Sequence, residues 1–266
     1  AEAAATDSNA FALYHYHPTI AGAVIIAIAF IATTAFHFLQ LSRKRCWFMI
    51  PLALGGILEV VGYGSRAKSG TESPDWTLGP YIIQAILLLV APALYAATIY
   101  MEIGRIVSII DGESRLMMRK EWMTKIFVTG DVLSFILQAG GGGYQASGTA
   151  EALDLGSKII IVGLFVQLFF FGAFIVISVS FHLKINREPT ARSGQNGPDC
   201  VAWRKHVWVL YVASFLIMVR SLFRAIEYLQ GNGGSLLRHE EYLYIFDAVL
   251  MLIVMAIFNV FHPAEL

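Results

Sequence analysis

The sequence predicts an all-α, polytopic membrane protein with seven transmembrane helices, and two observations carry this prediction. Hydrophobic residues make up 57% of the 266 residues and charged residues only 14%, whereas a soluble domain carries about 25% charged residues. Seven apolar segments also approach or exceed the ~20 residues that a helix needs to cross a bilayer. Because lipid offers backbone groups no partners, each segment is expected to be helical. The balanced formal charge predicts no nucleic-acid partner.

The predicted spans form a single transmembrane domain, residues 18–263, which follows an extracellular segment of residues 1–17. They cover residues 18–41, 47–66, 80–107, 125–142, 155–183, 206–230 and 242–261. The longest connection, residues 184–205, contains the stretch EPTARSGQNGP and is predicted to be a flexible cytoplasmic loop.

The orientation follows from the distribution of Lys and Arg between the connections. Arg43, Lys44 and Arg45 follow the first span, and the connections after the third and fifth spans are also basic. The other connections hold fewer basic residues together with several acids. Because cytoplasmic loops carry the excess of Lys and Arg, we expect the N-terminus outside and the C-terminus in the cytoplasm.

Polar side chains in the predicted spans gather towards the outer half of the bundle. Glu59, Tyr63 and Arg66 share one helical face, and three charged residues repeat that spacing in the sixth span. A charge at the centre of a bilayer costs about 2.5–3.5 kcal/mol, so each needs a partner or a purpose. We therefore predict a water-accessible cavity, open to the outer side, that binds an amphiphile. Its expected ligand-binding residues are Glu59, Tyr63, Arg66, Gln84, Gln138, Arg220, Arg224, Glu227 and Asp247. The alternative is that these charges form buried ion pairs that only fix the packing of the helices.

Four further features are singled out in the third and fourth spans. Asp131 is a candidate proton or cation site, with a hydrogen-bonded structural acid as the alternative. Glu102 and Arg105 are spaced to form a salt bridge near the membrane surface. Pro92 is expected to kink the third helix. The glycine run 140–143 is expected either to permit close helix approach or to unwind the helix.

Several named chemistries are excluded or disfavoured by the sequence. No lysine follows Lys205, so the last span lacks the Schiff-base residue that a retinal protein requires. No nucleotide-binding loop, hydrolase elbow or CxxC motif is present, and the histidines lack helical pairing for a metal. We therefore expect no cofactor, no metal and no enzymatic activity.

Five stretches of the sequence resemble the fungal lipid-translocating exporter family, the group of aminocholesterol-resistance-like proteins. They are EVVGYGSRA (59–67), YIIQAILLLVAPALYAATIYMEIGRI (81–106), KIFVTGDVLSFILQAGGG (125–142), RSLFRAIEYLQGNGG (220–234) and HEEYLYIFD (239–247). The resemblance covers nearly the whole chain, from the YxYxP element ending at Pro18 to the final His262 and Pro263. Thr19 and Ala264 depart from the Ser and Gly that the family usually has.

The resemblance implies a seven-helix membrane protein that exports or flips sphingoid long-chain bases, or handles other toxic amphiphiles or porphyrins. It also implies a fungal plasma membrane, with membrane lipids and amphiphilic small molecules as partners. The family positions carried over are the nine ligand-binding residues given above together with Asp131. Two alternatives stay open: a lipid-sensing receptor with the same pocket, and an intramembrane lipid-modifying enzyme that uses Asp131 or Asp247.

Overall fold

The computed structural model describes residues 16–145, 149–193, 198–231, 234, 236 and 239–265. Within that part of the chain, seven helices are long and apolar enough to span a membrane, and no strand is present. They are α1 (Ile20–Lys44), α2 (Ile50–Thr71), α3 (Leu78–Ile109), α4 (Lys120–Gln145), α5 (Ala150–Arg187), α6 (Pro198–Gln230) and α7 (Glu240–Val260). The all-α class and the seven spans are thereby confirmed, while the orientation of the termini stays a prediction.

Helices occupy both ends of the segment that was predicted to be a flexible loop. The helix α5 continues through Arg187 and α6 begins at Pro198, so the connection is shorter than residues 184–205. Ile185 and Trp203 lie in these extensions and are buried in the apolar core. Apolar packing therefore continues the helices beyond the segment that hydropathy assigns to the bilayer. Residues 1–15 of the predicted extracellular segment lie outside the described residues.

Local signals explain several helix ends. The helix α1 stops at Arg45, which takes a left-handed conformation (φ 53°) and donates its N–H to the Leu41 carbonyl at 2.9 Å. A proline in the first turn begins α2, where its missing N–H costs no helical bond. The Thr149 hydroxyl caps α5 by accepting from the Ala152 N–H at 3.2 Å.

Consecutive helices pack against each other, and α7 closes the bundle by packing against α1 and α6. The helix α3 also contacts α6, which brings the middle of the chain to its C-terminal part. Large apolar side chains such as Ile25, Phe169 and Val260 remain exposed on the outer surface of the bundle, as lipid contact requires. We refer to the end at which α1 begins as the Thr19 end and to the opposite end as the Lys44 end.

The glycine run in α4 permits close approach and does not unwind the helix. The helix remains regular through Gln145. A Cβ atom on Gly141 would lie 2.7 Å from the carbonyl oxygen of Gly156 in α5, closer than real side chains come to backbone. Of the two alternatives raised by the sequence, the structure therefore selects close packing.

Candidate functional site

Two arginines of α6 and one aspartate of α7 form the centre of a buried charge cluster. Arg220 Nε donates to Asp247 Oδ1 at 2.6 Å, and Arg224 Nη2 donates to Asp247 Oδ2. Arg224 Nη1 also donates to Glu227 Oε2 at 2.8 Å. Together with Glu59 of α2, these residues are called the central charge cluster. The structure thus brings together five of the predicted site residues.

Asp247 reaches both arginines from a π-helical turn. Residues Tyr244–Val249 form this turn within α7, and Asp247 is buried there. Such turns rotate the following side chains relative to a regular helix and are frequent at functional sites. Hydropathy gives no signal for a π-turn, so the sequence could not show how Asp247 faces α6.

A proline in α3 supplies a further acceptor for the cluster. Pro92 has no N–H, so the Leu88 carbonyl four residues earlier loses its helical donor. Arg220 Nη2 donates to this carbonyl at 2.6 Å. Sequence analysis singled out Pro92 for a kink and missed this acceptor. The signal was present, because a proline inside a helix frees the carbonyl at position i−4.

Glu59 is the acid of the cluster that lacks a partner at one oxygen. It is 1% exposed and lies close enough to Asp247, Arg220 and Arg224 to interact electrostatically with all three. Its Oε1 atom has no hydrogen-bond partner among the described residues, and the same is true of Arg220 Nη1 and of the Tyr63 and Tyr95 hydroxyls. Buried polar groups without partners are costly and rare, so these four atoms are unusual features of the buried interior.

The predicted opening of this site to the exterior is corrected by the structure. The side chains of Arg220 and Asp247 are 0% and 2% exposed, so the bundle encloses them. Only the edge formed by Arg224 and Glu227 keeps a small exposed fraction, 12% and 6% of their side chains. Ion pairs and helix packing therefore fill the region in which the sequence predicted a water-accessible cavity.

Arg66 belongs to a second group of residues at the Thr19 end. Its Nη2 atom donates to Glu240 Oε1 and to the Tyr16 hydroxyl, both at 2.7 Å, and Nε donates to the Tyr244 hydroxyl at 3.3 Å. Glu240 also accepts from the Thr19 N–H and hydroxyl, which joins α7 to the start of α1. Arg66 was predicted to line the same cavity as Glu59, whereas its described hydrogen bonds are with this terminal group. Burial is the main influence on Tyr16 and raises the pKa of its hydroxyl, against the opposing effect of Arg66.

Tyr63 lies between the terminal group and the central charge cluster. Its ring stacks with Phe30 at 5.8 Å and with Tyr244 at 6.3 Å between centroids. It also interacts electrostatically with both Asp247 and Arg66. The face predicted for Glu59, Tyr63 and Arg66 is therefore continuous. It was expected to line one site, whereas it runs from the central charge cluster to the group around Arg66 at the Thr19 end.

The two predicted glutamines lie in different surroundings. Gln84 is buried on α3, one turn before Leu88 and towards the Thr19 end. Gln138 donates to Ser134 Oγ at 2.5 Å and to Gln167 Oε1 at 3.1 Å, which places it in the α4–α5 contact. Its described bonds do not join it to the central charge cluster.

Asp131 is buried among aromatic side chains on the other side of α3. The Tyr100 hydroxyl donates to its Oδ2 atom at 2.9 Å, and the Tyr100 ring packs against Phe127 and Phe174. No ion pair to Asp131 occurs in the described part of the chain, and no group of three metal-ligating side chains is found there. The role of Asp131 as a proton or cation site stays a prediction.

The salt bridge predicted between Glu102 and Arg105 is wrong. Glu102 is fully buried and its Oε1 atom lies 3.0 Å from His206 Nδ1 of α6. The Arg105 guanidinium instead lies over the Phe48 ring, 4.4 Å from its centroid. The i, i+3 spacing was correct for a pair on one helix, but the α3–α6 contact offered Glu102 a buried partner.

Comparison with known proteins gives consistent matches over most of the chain. Residues 52–266 match a family model described as RTA1 like protein. The chain is 36% identical to Protein RTA1 of Saccharomyces cerevisiae in an alignment 280 positions long, gaps included, which covers 96% of this chain and 86% of that protein. It is also 36% identical to Protoporphyrin uptake protein 1 of the same organism, over 96% of this chain and 93% of that protein.

A more distant relative has a name that states a lipid substrate. The Sphingoid long-chain base transporter RSB1 of Saccharomyces cerevisiae is 27% identical over 257 aligned residues, covering 85% of this chain and 67% of that protein. No solved structure matches this chain.

Proposed function

This chain belongs to the RTA1-like protein family, and from that premise we propose that it is an ATP-independent transporter of lipid-like amphiphiles. The proposed substrates are of the sphingoid long-chain base class, and the proposed location is the plasma membrane. The names of its relatives support this: one is a sphingoid long-chain base transporter and another takes up protoporphyrin. Both compounds join an apolar body to charged or polar groups.

The observation that carries the proposal is the charge balance of the central charge cluster. Three carboxylates, Glu59, Glu227 and Asp247, face two guanidinium groups. Asp247 bonds to both arginines and Glu227 bonds to one of them, so Glu59 is the acid of the cluster that forms no salt bridge with a described residue. A carboxyl group in this environment is neutralised by a proton or by a ligand cation.

A primary ammonium group fits this place in charge and in hydrogen bonding. It supplies three hydrogen-bond donors. Three oxygen atoms without a described partner could accept them: Glu59 Oε1 and the hydroxyl oxygens of Tyr63 and Tyr95. The apolar tail would lie against the apolar side chains that surround the cluster and extend towards lipid. We place the entrance for the head group at the edge formed by Arg224 and Glu227, because these side chains retain some exposure.

The experiment is a flux assay with the purified full chain in liposomes. Movement of a fluorescent sphingoid base between leaflets is followed in vesicles with protein and in vesicles without it. We expect faster movement with protein, and a fall of about tenfold in Glu59→Gln, since a neutral amide loses the ion pair to the ammonium group. The matched control is Glu151→Gln, which changes an exposed glutamate at the start of α5 and should leave the rate unchanged.

Two results would contradict the proposal. If the sphingoid base moved no faster than in protein-free vesicles, in either direction, the proposal that the protein is a transporter would be wrong. Equal rates of movement for the Glu59→Gln and Glu151→Gln variants would show that transport does not depend on Glu59 of the central charge cluster. Saturable binding of the base without movement would favour the lipid-sensing receptor instead.

A further inference from the structure

A pocket lies at the Lys44 end of the bundle, away from the central charge cluster. It forms where the turn before α2, the last turns of α3 and the first turn of α4 meet, and its volume is about 510 Å³. Gly104 is part of its wall, and a Cβ atom there would meet nothing within 4 Å. The helices therefore leave this space open without a side chain to fill it.

The pocket contains an arginine, Arg105, which interacts electrostatically with the buried Glu102 but forms no salt bridge with it or with any other described residue. Arg105 is exposed and makes no hydrogen bond or ion pair within the described part of the chain. Its guanidinium is held over the Phe48 ring at 4.4 Å from the centroid. This contact holds the guanidinium at the pocket wall, and its N–H donors make no hydrogen bond to a described residue, so they could bind a phosphate in a bidentate manner.

The other charged residues of the pocket differ in their partners. Lys120 Nζ donates to Ser108 Oγ at 3.0 Å and pairs with Glu113, so its charge is already balanced. Glu121 also lines the pocket, is exposed, and forms no ion pair with a described residue. Among the described residues, Arg105 and Glu121 are therefore the charged side chains of the pocket that form no salt bridge.

The pocket lies at the depth at which lipid head groups are found. Trp47 and Trp122 are next in sequence to the pocket residues Phe48 and Glu121, and they are 63% and 58% exposed. Exposed tryptophans in membrane proteins concentrate at the boundary between hydrocarbon and head groups. Met101 and Ile109 add an apolar wall on the α3 side. A ligand here would meet charge at one end and apolar surface at the other.

We propose that this pocket binds the head group of a zwitterionic aminophospholipid, with the phosphate on Arg105 and the primary ammonium on Glu121. A ligand with one phosphate and one ammonium complements these two charges, whereas an anionic phospholipid would place its negative charge beside Glu121. The glycerol and the upper acyl chain lie along Met101 and Ile109. Interhelical pockets with basic residues near the membrane surface are known places for lipid head groups. This site is independent of the proposed transport function.

Native mass spectrometry of the purified full chain tests the site. Phosphatidylethanolamine, phosphatidylcholine and phosphatidylglycerol with the same acyl chains are titrated separately, and inorganic phosphate is added as a soluble competitor. Of the three lipids, we expect phosphatidylethanolamine to bind most tightly to the unmodified chain. We expect it to bind about tenfold more weakly to the Arg105→Gln variant, because one charge-assisted contact is lost. Arg43→Gln is the control, since Arg43 is exposed at the same end outside the pocket.

Two further variants separate charge from space. Glu121→Gln should remove the preference for phosphatidylethanolamine over phosphatidylglycerol. Gly104→Leu should block the pocket without changing its charge, whereas Gly64→Leu, which also enters open space but near the Thr19 end, should have no effect.

The proposal would be overturned if Arg105→Gln and Arg43→Gln bound lipid equally. It would also be overturned if phosphatidylglycerol bound as tightly as phosphatidylethanolamine to the unmodified chain, which indicates an anionic-lipid site. Displacement of the lipid by equimolar inorganic phosphate would indicate a site for soluble phosphate and would equally exclude it.

Discussion

At the scale of single residues, Asp247 holds the central charge cluster together. It accepts from Arg220 at one oxygen and from Arg224 at the other, and its own side chain is 2% exposed. Removing one partner from a buried ion pair leaves a charge that neither water nor protein compensates. Asp247 should therefore contribute more to the free energy of unfolding than an exposed acid does.

Asp247→Asn is expected to lower the free energy of unfolding by about 3–5 kcal/mol, as for other broken buried pairs. Asp154→Asn is the matched control: Asp154 pairs with Lys158 at 2.6 Å on the surface, and its loss should cost less than about 1 kcal/mol. Denaturant titration in mixed micelles measures both. Equal losses in the two variants would show that the cluster carries no special stabilisation.

The Leu88 carbonyl shows how one residue creates a role for another. Pro92 withholds the helical donor and Arg220 replaces it at 2.6 Å. Arg220→Lys keeps the charge but cannot reach both the carbonyl and Asp247 with the same geometry. The cost of that change should therefore depend on whether position 92 supplies an N–H.

We expect the cost of Arg220→Lys to be smaller by about 1 kcal/mol in a Pro92→Ala background, since residues that share a partner are energetically coupled. A double-mutant cycle on the unfolding free energy gives this coupling. Strict additivity of the two changes would contradict the assigned role of the proline.

At the scale of elements, the contact between α4 and α5 depends on residues without side chains. Gly141 faces the Gly156 carbonyl, whereas a Cβ on its neighbour Gly140 would meet nothing within 4 Å. These two glycines lie side by side in one helix and differ only in what they face. They form a matched pair for testing helix packing in the membrane.

Gly141→Ala is expected to destabilise the protein by about 1–3 kcal/mol, because the added methyl group forces the two backbones apart. Gly140→Ala should instead be neutral or stabilising by up to about 1 kcal/mol through helix propensity. Thermal unfolding in detergent compares them. The opposite order would mean that the close α4–α5 approach does not exist in the folded protein.

The sequence predicted the elements better than their ends and their irregularities. Hydropathy found all seven spans because lipid imposes a single length and composition on each. It missed the extension of α5 to Arg187, where Ile185 packs against the core beyond the hydrocarbon layer. It also missed the π-turn that carries Asp247, because such a turn depends on packing between helices.

The candidate site divides in the same way. Charges that recur along one helical face, such as Glu59 with Arg66 and Arg220 with Arg224, could be predicted from spacing alone. Their partners could not, because pairing between helices depends on how each helix is rotated. Arg66 therefore bonds to Glu240, and Glu102 pairs with His206.

At the scale of the whole molecule, the distribution of Lys and Arg predicts that the Thr19 end faces the exterior. Single cysteines test this after both native cysteines, Cys46 and Cys200, are replaced by serine. Lys68→Cys should react with a membrane-impermeant maleimide on intact cells, since Lys68 is exposed at the Thr19 end. Ser42→Cys, exposed near the Lys44 end, should react only after permeabilisation. The reverse pattern would invert the predicted topology.

The central claim is that the central charge cluster recognises a cationic head group through Glu59. The most direct measurement is native mass spectrometry of the purified chain with a long-chain primary amine and with the alcohol of the same chain length. The unmodified protein and Glu151→Gln should retain the amine in preference to the alcohol, and Glu59→Gln should lose that preference. If Glu59→Gln retained the amine as well as the unmodified protein, the cluster would be a structural ion-pair network and its assignment as a binding site would be wrong.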